Sequence, residues 1–449
     1  MRLARAITII PVLALLVWAC SSDTPTTPPG LSESTTSAGG DFNYIAQPPY
    51  VRGGPLSTTP AALPFCGGGF ICYPPQFVRA AYNFPSNLDG TGQTILLVDA
   101  FGSPSIQSDL QIFDASLGLP DPPSFTILCP AGGCPPFDPS DPHNEASWSL
   151  ETSLDVEYAH AMAPGANIVL VVASTSLGNA INSAEAAALP RYPGSIMSQS
   201  FGVPEILITG GNKAQVQQAH TNFLAAQAAG ITVLASAGDA GATNGFGTPN
   251  AQFPASDTLV IGVGGTEGNP YPGGLFGCGT SKCKGTYGGE QVWNEPQFNP
   301  PGATGGAPST LFGVPSYQSG LGLASRTVPD VAYNAAINGG VLVVDQTLVP
   351  GFFLLVGGTS AGSPQWAAIV ALANQAKGAP LGFINPTLYQ IQKCRRNYAA
   401  DFHDITVGNN QLFGTPFGFN AGVGYDFATG LGTPNVTNLI QDLVSPPSC

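Results

Sequence analysis

Gly351-Phe-Phe-Leu-Leu-Val356, then Gly357-Gly-Thr-Ser-Ala-Gly-Ser-Pro364, then Gln365–Ala376 reads as strand, tight turn and helix. A short apolar run bounded by glycines is a buried strand, and small residues let the chain reverse sharply after it. The turn carries Ser360, expected to stand exposed at the helix N-terminus. There the helix dipole and free N–H groups favour developing negative charge. Ser360 is therefore a candidate nucleophile, although the same Gly/Ser pattern also serves as a plain helix cap. The choice depends on a base, and the chain has only four histidines.

Outward from this unit the pattern repeats. Thr94–Val98, Ile168–Val172, Ile231–Ala235 and Leu259–Val263 are apolar strands. Ser147–Met162, Gly178–Ala188 and Asn212–Ala229 are helical patterns between them, and Gly340–Val344 is a further strand before Phe352–Val356. Alternation of this kind predicts an α/β fold with a mostly parallel central sheet flanked by helices on both faces. Gly268–Thr327 is rich in Gly and Pro and reads as irregular.

Charged residues make up 9% of the 449, whereas 43% are apolar and Gly (57) and Pro (43) are abundant. That suits a loop-rich globular chain rather than a disordered one. A formal charge of −14 argues against nucleic acid as a partner, because phosphate binding needs basic surface. Few acids can pair with bases, which fits work at low pH.

Arg2 and Arg5, the apolar run Ile9–Trp18 and Ala19-Cys20 form a signal-peptide pattern over residues 1–20, too short for a confident span. Val17-Trp18-Ala19-Cys20 resembles a bacterial lipobox, with Cys20 the lipidated residue. The chain is thus expected to be extracytoplasmic and held at a membrane through its lipid, or else simply secreted. Residues 21–63 are rich in Ser, Thr, Pro and Gly and read as a disordered tether, so that 64–449 is the folded domain. The other eight cysteines suit an oxidising compartment. Cys66/Cys72, Cys129/Cys134 and Cys278/Cys283 are close enough to close small loops, and Cys394/Cys449 remain to tie down the C-terminus. Connectivity does not follow from sequence, and local pairing is the least demanding assignment.

Within the helix Ser147–Met162, Glu151 and Asp155 stand four apart, on one face. Neighbouring carboxylates repel when both are ionised, so one proton is shared and one pKa rises. Such a pair can act as a general base in acid. A solvated helix face is the ordinary reading of two acids, but no Lys or Arg shares this helix and most neighbours are small or apolar. Asp239, in Ser236-Ala-Gly-Asp239, follows the strand Ile231–Ala235 at the sheet's carboxyl edge, where ligand sites form. Protonated, it can donate to an oxyanion; otherwise it is an Asx-turn residue. His143, His160, His220 and His403 lack the His-Gly-Thr setting of a Ser-His-Asp enzyme and read as surface or core residues.

Together, Glu151–Asp155, Ser236-Ala-Gly-Asp239 and Gly358-Thr-Ser360-Ala resemble the sedolisin family of serine-carboxyl peptidases. Leu154-Asp-Val-Glu-Tyr-Ala-His-Ala-Met-Ala-Pro-Gly-Ala166, Phe253-Pro-Ala-Ser256, Val263-Gly-Gly-Thr266 and Val328-Pro-Asp330-Val support it, so that it covers roughly residues 70–445. The resemblance implies a subtilisin-like fold and an acid-acting endopeptidase. Ser360 would be the nucleophile, Glu151 its base, Asp155 the acid orienting that base, and Asp239 the oxyanion donor. Asp99, after the strand Thr94–Val98, would join the supporting carboxyl network. One structural Ca²⁺ would be held by Asp404 and Asp426 through side chains and by Ile405, Gly422 and Gly424 through carbonyls, hard oxygen ligands of the kind calcium prefers. The implied partners are protein or peptide substrates, with the chain acting as a monomer. Two departures stand out. Family members carry a long N-terminal prodomain, where this chain offers Ser21–Leu63, and Ser200-Phe201-Gly202 stands where Trp or Tyr is common. The alternative from another class is a non-catalytic, lipid-anchored binding or adhesion protein on the same fold, which would not need Ser360.

Overall fold

The computed structural model describes residues 40–56, 70–130, 132–141, 144–268 and 287–449. Cys20, Cys66, His143, Cys278 and Cys283 lie outside them, as does the predicted signal segment.

An eight-stranded sheet forms the centre. It contains β3 (Thr94–Ala100), β4 (Phe125–Leu128), β5 (Asn167–Ala173), β6 (Ile196–Gln199), β7 (Thr232–Ser236), β8 (Ile261–Glu267), β9 (Gln291–Val292) and β10 (Val331–Asn334). β1 (Tyr50–Pro55) and β2 (Cys72–Tyr73) precede these strands and belong to a second sheet. The main order is β9-β8-β7-β6-β3-β5-β4, with β10 also beside β8. Every pairing is parallel except the edge pair β8–β9. The predicted α/β architecture is therefore present.

Alternation along each strand divides two cores. Ile95 and Leu97 of β3 face one cluster, with Leu150 and Leu154 of α3 (Glu145–Met162) and Trp366 and Val370 of α6 (Gly362–Lys377). Leu96 and Val98 face the other, with Ile181 of α4 (Gly178–Ala188) and Phe223 of α5 (Lys213–Ala228). Side chains on a strand point to opposite faces in turn, so one continuous apolar run supplies both cores.

Three sequence expectations need correction. β6 and β10 add to the expected strands; β6 lies at the sheet centre, but Ile196-Met-Ser-Gln199 has too little contrast to mark itself. The strands Gly340–Val344 (β11) and Phe352–Val356 (β12) are present but stand outside the parallel sheet. They form an antiparallel hairpin, extended to four strands by β1 and β2. Finally, residues 40–56 are not tether. Phe42 and Tyr44 are buried at 0% and 3% exposure, and β1 pairs with β12. The polar composition of the surrounding stretch hides a segment whose apolar side chains alternate inward.

Disulfides join Cys129 to Cys134 and Cys394 to Cys449, with Cα–Cα separations of 4.9 and 5.6 Å. Among the described residues no helix is long and apolar enough to cross a membrane.

Candidate active site

Helix α3 is unusual for a helix bearing acids. All its residues but Ala146 are buried, because β3, α2 (Ile106–Leu117), α6 and β11 surround it. Glu151 and Asp155 are each 0% exposed, which removes the solvated-face reading. Glu151 Oε1 and Asp155 Oδ2 find no hydrogen-bond partner, and neither does either oxygen of Asp99, itself 0% exposed at the carboxyl end of β3. Burying an unpaired carboxylate costs far more than burying a neutral acid. Burial accordingly raises the pKa of Glu151 well above the ordinary range, and Asp155 and Asp99 push it further. Asp155 is raised by burial and then by Asp99. Burial alone lifts Asp99 to about 8.

The turn after β12 brings Ser360 to this pair. Gly358 adopts φ +92°, and a Cβ there would meet Asp239 Oδ2 at 2.5 Å, so only glycine lets the turn pass. Thr359–Ala361 forms a single 3₁₀ turn that runs into α6. Ser360 Oγ lies 3.1 Å from Glu151 Oε2 and 3.2 Å from the Ser200 carbonyl, both within donating range. Ser200 Oγ in turn donates to Asp155 Oδ1 at 2.7 Å. Ser360 is only 5% exposed, contrary to the exposed position expected from the turn.

On the other side of Ser360, Asp239 follows β7. Its Oδ1 accepts the Thr359 N–H and the Thr359 hydroxyl, each at 2.8 Å, while Thr359 Oγ1 accepts the Gly238 N–H at 3.0 Å. Oδ2 is left beside Gly358. Burial raises Asp239 to about 6, against the opposing pull of the two Thr359 bonds. Glu151, Asp155, Asp99, Asp239 and Ser360 therefore converge on one region, with Asp99, Ser200 and Asp239 placed by the carboxyl ends of neighbouring strands.

No described histidine joins them. His160 Nε2 is 2.8 Å from the Pro120 carbonyl and 3.3 Å from Asp114. His220 pairs with Asp257 at 2.8 Å, and His403 stacks on Tyr287. Ser200 and Thr359 were missed as functional residues. They sit within Ser200-Phe201-Gly202 and Gly358-Thr-Ser360-Ala, but those segments do not say which acid each hydroxyl reaches. Phe201 turns its ring into the core against Tyr44 and Trp148, with centroids 4.7 and 5.7 Å away.

The match to known proteins is specific. The model of the Subtilase family matches residues 143–414, more than half of the chain and all four residues Glu151, Asp155, Asp239 and Ser360. The chain belongs to the subtilase family. Its relatives place it among the sedolisins within that family. It is 37% identical to kumamolisin from Bacillus sp. (strain MN-32) over 390 residues, 84% of this chain and 64% of kumamolisin. It is 32% identical to tripeptidyl-peptidase 1 of Rattus norvegicus over 338 residues, 66% of this chain and 52% of that protein. A solved structure of Pseudomonas sedolisin, a serine-carboxyl proteinase complexed with two molecules of pseudo-iodotyrostatin, superposes with TM-score 0.70 at 26% identity, covering 84% of this chain and 100% of that one. The chain thus spans less than two thirds of kumamolisin and about half of tripeptidyl-peptidase 1.

Away from Ser360, the predicted cation ligands cluster in one loop system. Asp404 accepts the Gly424 N–H (3.0 Å to Oδ2) and the Tyr398 hydroxyl (3.0 Å to Oδ1). Asp426 accepts the N–H groups of Gly422 at 3.1 Å and of Ala428 and Thr429 at 2.8 Å. Both carboxylates address the Gly422–Gly424 turn. Among the described residues no group of three or more His, Cys, Asp or Glu side chains is gathered as a metal site.

Proposed function

We propose that this chain is an acid-acting serine-carboxyl endopeptidase. The observation that carries the reading is the unbroken set of contacts from Ser360 to Glu151 and through Ser200 to Asp155, in a region with no described histidine within reach. Ser360 Oγ attacks the carbonyl carbon of a peptide bond while its proton passes to Glu151. Negative charge then develops on the carbonyl oxygen. Asp239, protonated below about pH 6, donates to that oxyanion through the oxygen not committed to Thr359. Glu151 returns the proton to the departing amine, leaving an acyl group on Ser360. Water, deprotonated by Glu151, then releases the acid and restores the serine. Glu151, Asp155 and Asp99 share protons, so Glu151 accepts the serine proton in the microstate where a neighbouring acid holds the cluster's proton.

The donor chemistry at the C-terminal loops fits a hard cation. Asp404 and Asp426, with the carbonyls of Ile405, Gly422 and Gly424, would hold Ca²⁺, which would neutralise two acids and pin the loop. The proposed location is extracytoplasmic, with Cys20 as the lipid anchor, and the proposed partners are protein or peptide substrates met by a monomer.

The deciding experiment incubates an unfolded protein with the full chain at acidic pH, beside Ser360→Ala and Glu151→Gln. Cleavage by the parent and its loss by a factor of about 10⁴ or more in both variants is expected, since residues acting as one unit fail together. Cleavage that survives both substitutions would discard this site, and a parent without cleavage would favour a binding protein.

A further inference from the structure

Behind the reacting groups, β6 ends just short of Ser200. Its pairing to β3 stops at Ser198, opposite Leu97, and its pairing to β7 stops at Gln199, opposite Ala235. Ser200 is thus the first residue beyond the ladder, yet its carbonyl accepts from Ser360 Oγ and its hydroxyl donates to Asp155. With the ladder ended, the anchors just before Ser200 set how far it can shift.

Alternation sends those side chains to opposite faces. Ser198 points to α6, where its hydroxyl lies 2.8 Å from that of Ser363, three residues after the nucleophile. Gln199 points the other way, towards α4 and α5, and is 0% exposed. There its Nε2 donates to Glu185 Oε1 at 2.5 Å. Glu185, buried on α4, also accepts from Asn222 Nδ2 of α5 at 3.0 Å through Oε2. The same Asn222 amide donates to the Asn182 carbonyl at 2.8 Å, and Asn182 Nδ2 donates to the Gln215 carbonyl at 2.9 Å. These bonds lock α4 to α5, so Glu185 is held from a stiff platform.

The core around this network is apolar, with Met197, Ile181 and Phe223 in it. An acid in such a place costs more than a leucine would, unless its bonds fix something that packing alone does not. Burial raises the pKa of Glu185 to about 8, against the pull of the Asn222 bond. In acid it is therefore neutral, and the network needs no countercharge. The path from Glu185 to the reacting groups runs through Gln199 and a single peptide unit to Ser200.

We propose that Glu185 is a positioning residue: by holding Gln199 it fixes the Ser200 carbonyl and hydroxyl, and with them the approach of Ser360 to Glu151 and the orientation of Asp155. The catalytic consequence rests on the peptidase reading; the effect on Asp155 does not.

Three variants test this role. Glu185→Leu/Gln199→Leu replaces both polar ends by apolar side chains, a change that costs the fold little because the pair is removed together. Gln199→Met removes the donor alone and stands in if the double variant fails to fold. Glu185→Gln keeps an acceptor for Gln199. In the double variant kcat is expected to fall about tenfold with KM within about twofold, the signature of a slightly misplaced group, while the melting temperature stays near that of the parent. Glu185→Gln is expected to recover most of kcat. A parental kcat in both the double variant and Gln199→Met overturns the role, as does a loss of kcat that only follows a loss of melting temperature. Carboxyl-carbon NMR of isotope-labelled aspartate, with Asp155 assigned through Asp155→Asn, reads the same geometry without catalysis. The Ser200 bond favours ionised Asp155, so its weakening in the double variant is expected to raise the Asp155 midpoint by about one pH unit. An unmoved midpoint overturns the role. A raised midpoint in a protein whose parent cleaves no peptide upholds it and sinks the peptidase reading alone.

Discussion

Two buried carboxyl regions of this molecule follow opposite rules. Asp330 is 0% exposed and fully met: Arg326 reaches its two oxygens at 2.6 and 2.5 Å, the Gly262 N–H at 2.8 Å and the Tyr389 hydroxyl at 2.7 Å. That carboxyl group is hydrogen-bonded at both oxygens, and it holds β8 against the turn into β10. Around Ser360 the acids Glu151, Asp155 and Asp99 are equally buried, have no cation against them among the described residues and leave four oxygens without a partner. A satisfied charge stabilises the architecture; acids deprived of water and countercharge hold protons instead, and held protons can be moved. The segment Val328-Pro-Asp330-Val, which helped mark the family, therefore belongs to architecture rather than to the reacting groups.

The contrast can be broken most severely at the acids. Asp155→Asn is expected to lower kcat/KM by about 10³–10⁴-fold in acid, because the amide cannot share a proton with Glu151 and yet leaves no cavity. Thermal unfolding at the same pH should barely move. A large loss of stability with activity retained would put Asp155 in the same class as Asp330. The reciprocal change, Asp330→Asn, is expected to destabilise the fold by about 3–5 kcal/mol, since it strands the buried Arg326 charge. Denaturant unfolding measures it, and per-molecule kcat of the folded fraction should stay near that of the parent.

A smaller effect separates the regions by pH. An acid whose folded pKa exceeds its unfolded value binds more protons when folded, so stability falls as pH rises between the two values. For Asp99, raised to about 8 from 3.8, that window runs from about pH 4 to pH 8. The melting temperature should fall across it, and Asp99→Asn should flatten the fall; an unchanged slope would remove Asp99 from the titrating cluster. Activity should decline above about pH 6, as Asp239 ionises and ceases to donate. The smallest change is expected from His160→Gln. This residue shares α3 with Glu151 but faces Pro120 and Asp114, so kcat/KM should remain within about twofold even where stability drops. A tenfold loss of kcat/KM at unchanged stability would reopen a role for histidine.

Much of this was legible residue by residue. Gly-Gly-Thr-Ser between a strand and a helix, the four-residue spacing of Glu151 and Asp155, and Asp239 after a strand are local patterns, and local geometry is what sequence encodes most directly. The absence of Lys and Arg from α3 already hinted that its acids were not a solvated face. Ser200 and Thr359 were illegible for the opposite reason: a serine or threonine in a turn has many possible partners, and only packing chose Asp155 and Asp239. The same holds for Asp41–Pro49. Its neighbourhood has the composition of a linker, and the placement of residues 42–45 depends on residues 176–178 and Gly202, distant in sequence.

The sequence by itself determined the alternation of strands and helices, the membership in a family, and which acids and which serine are available for chemistry. Periodicity, glycine placement and residue type act over a few positions, so they survive without knowledge of the fold. Tertiary structure alone decided that Glu151, Asp155 and Asp99 are stripped of water while Asp330 is paired, that Ser360 is buried, and that residues 42–45 are held between residues 176–178 and Gly202. Those are matters of dielectric environment and long-range contact, which arise only when distant segments are brought together.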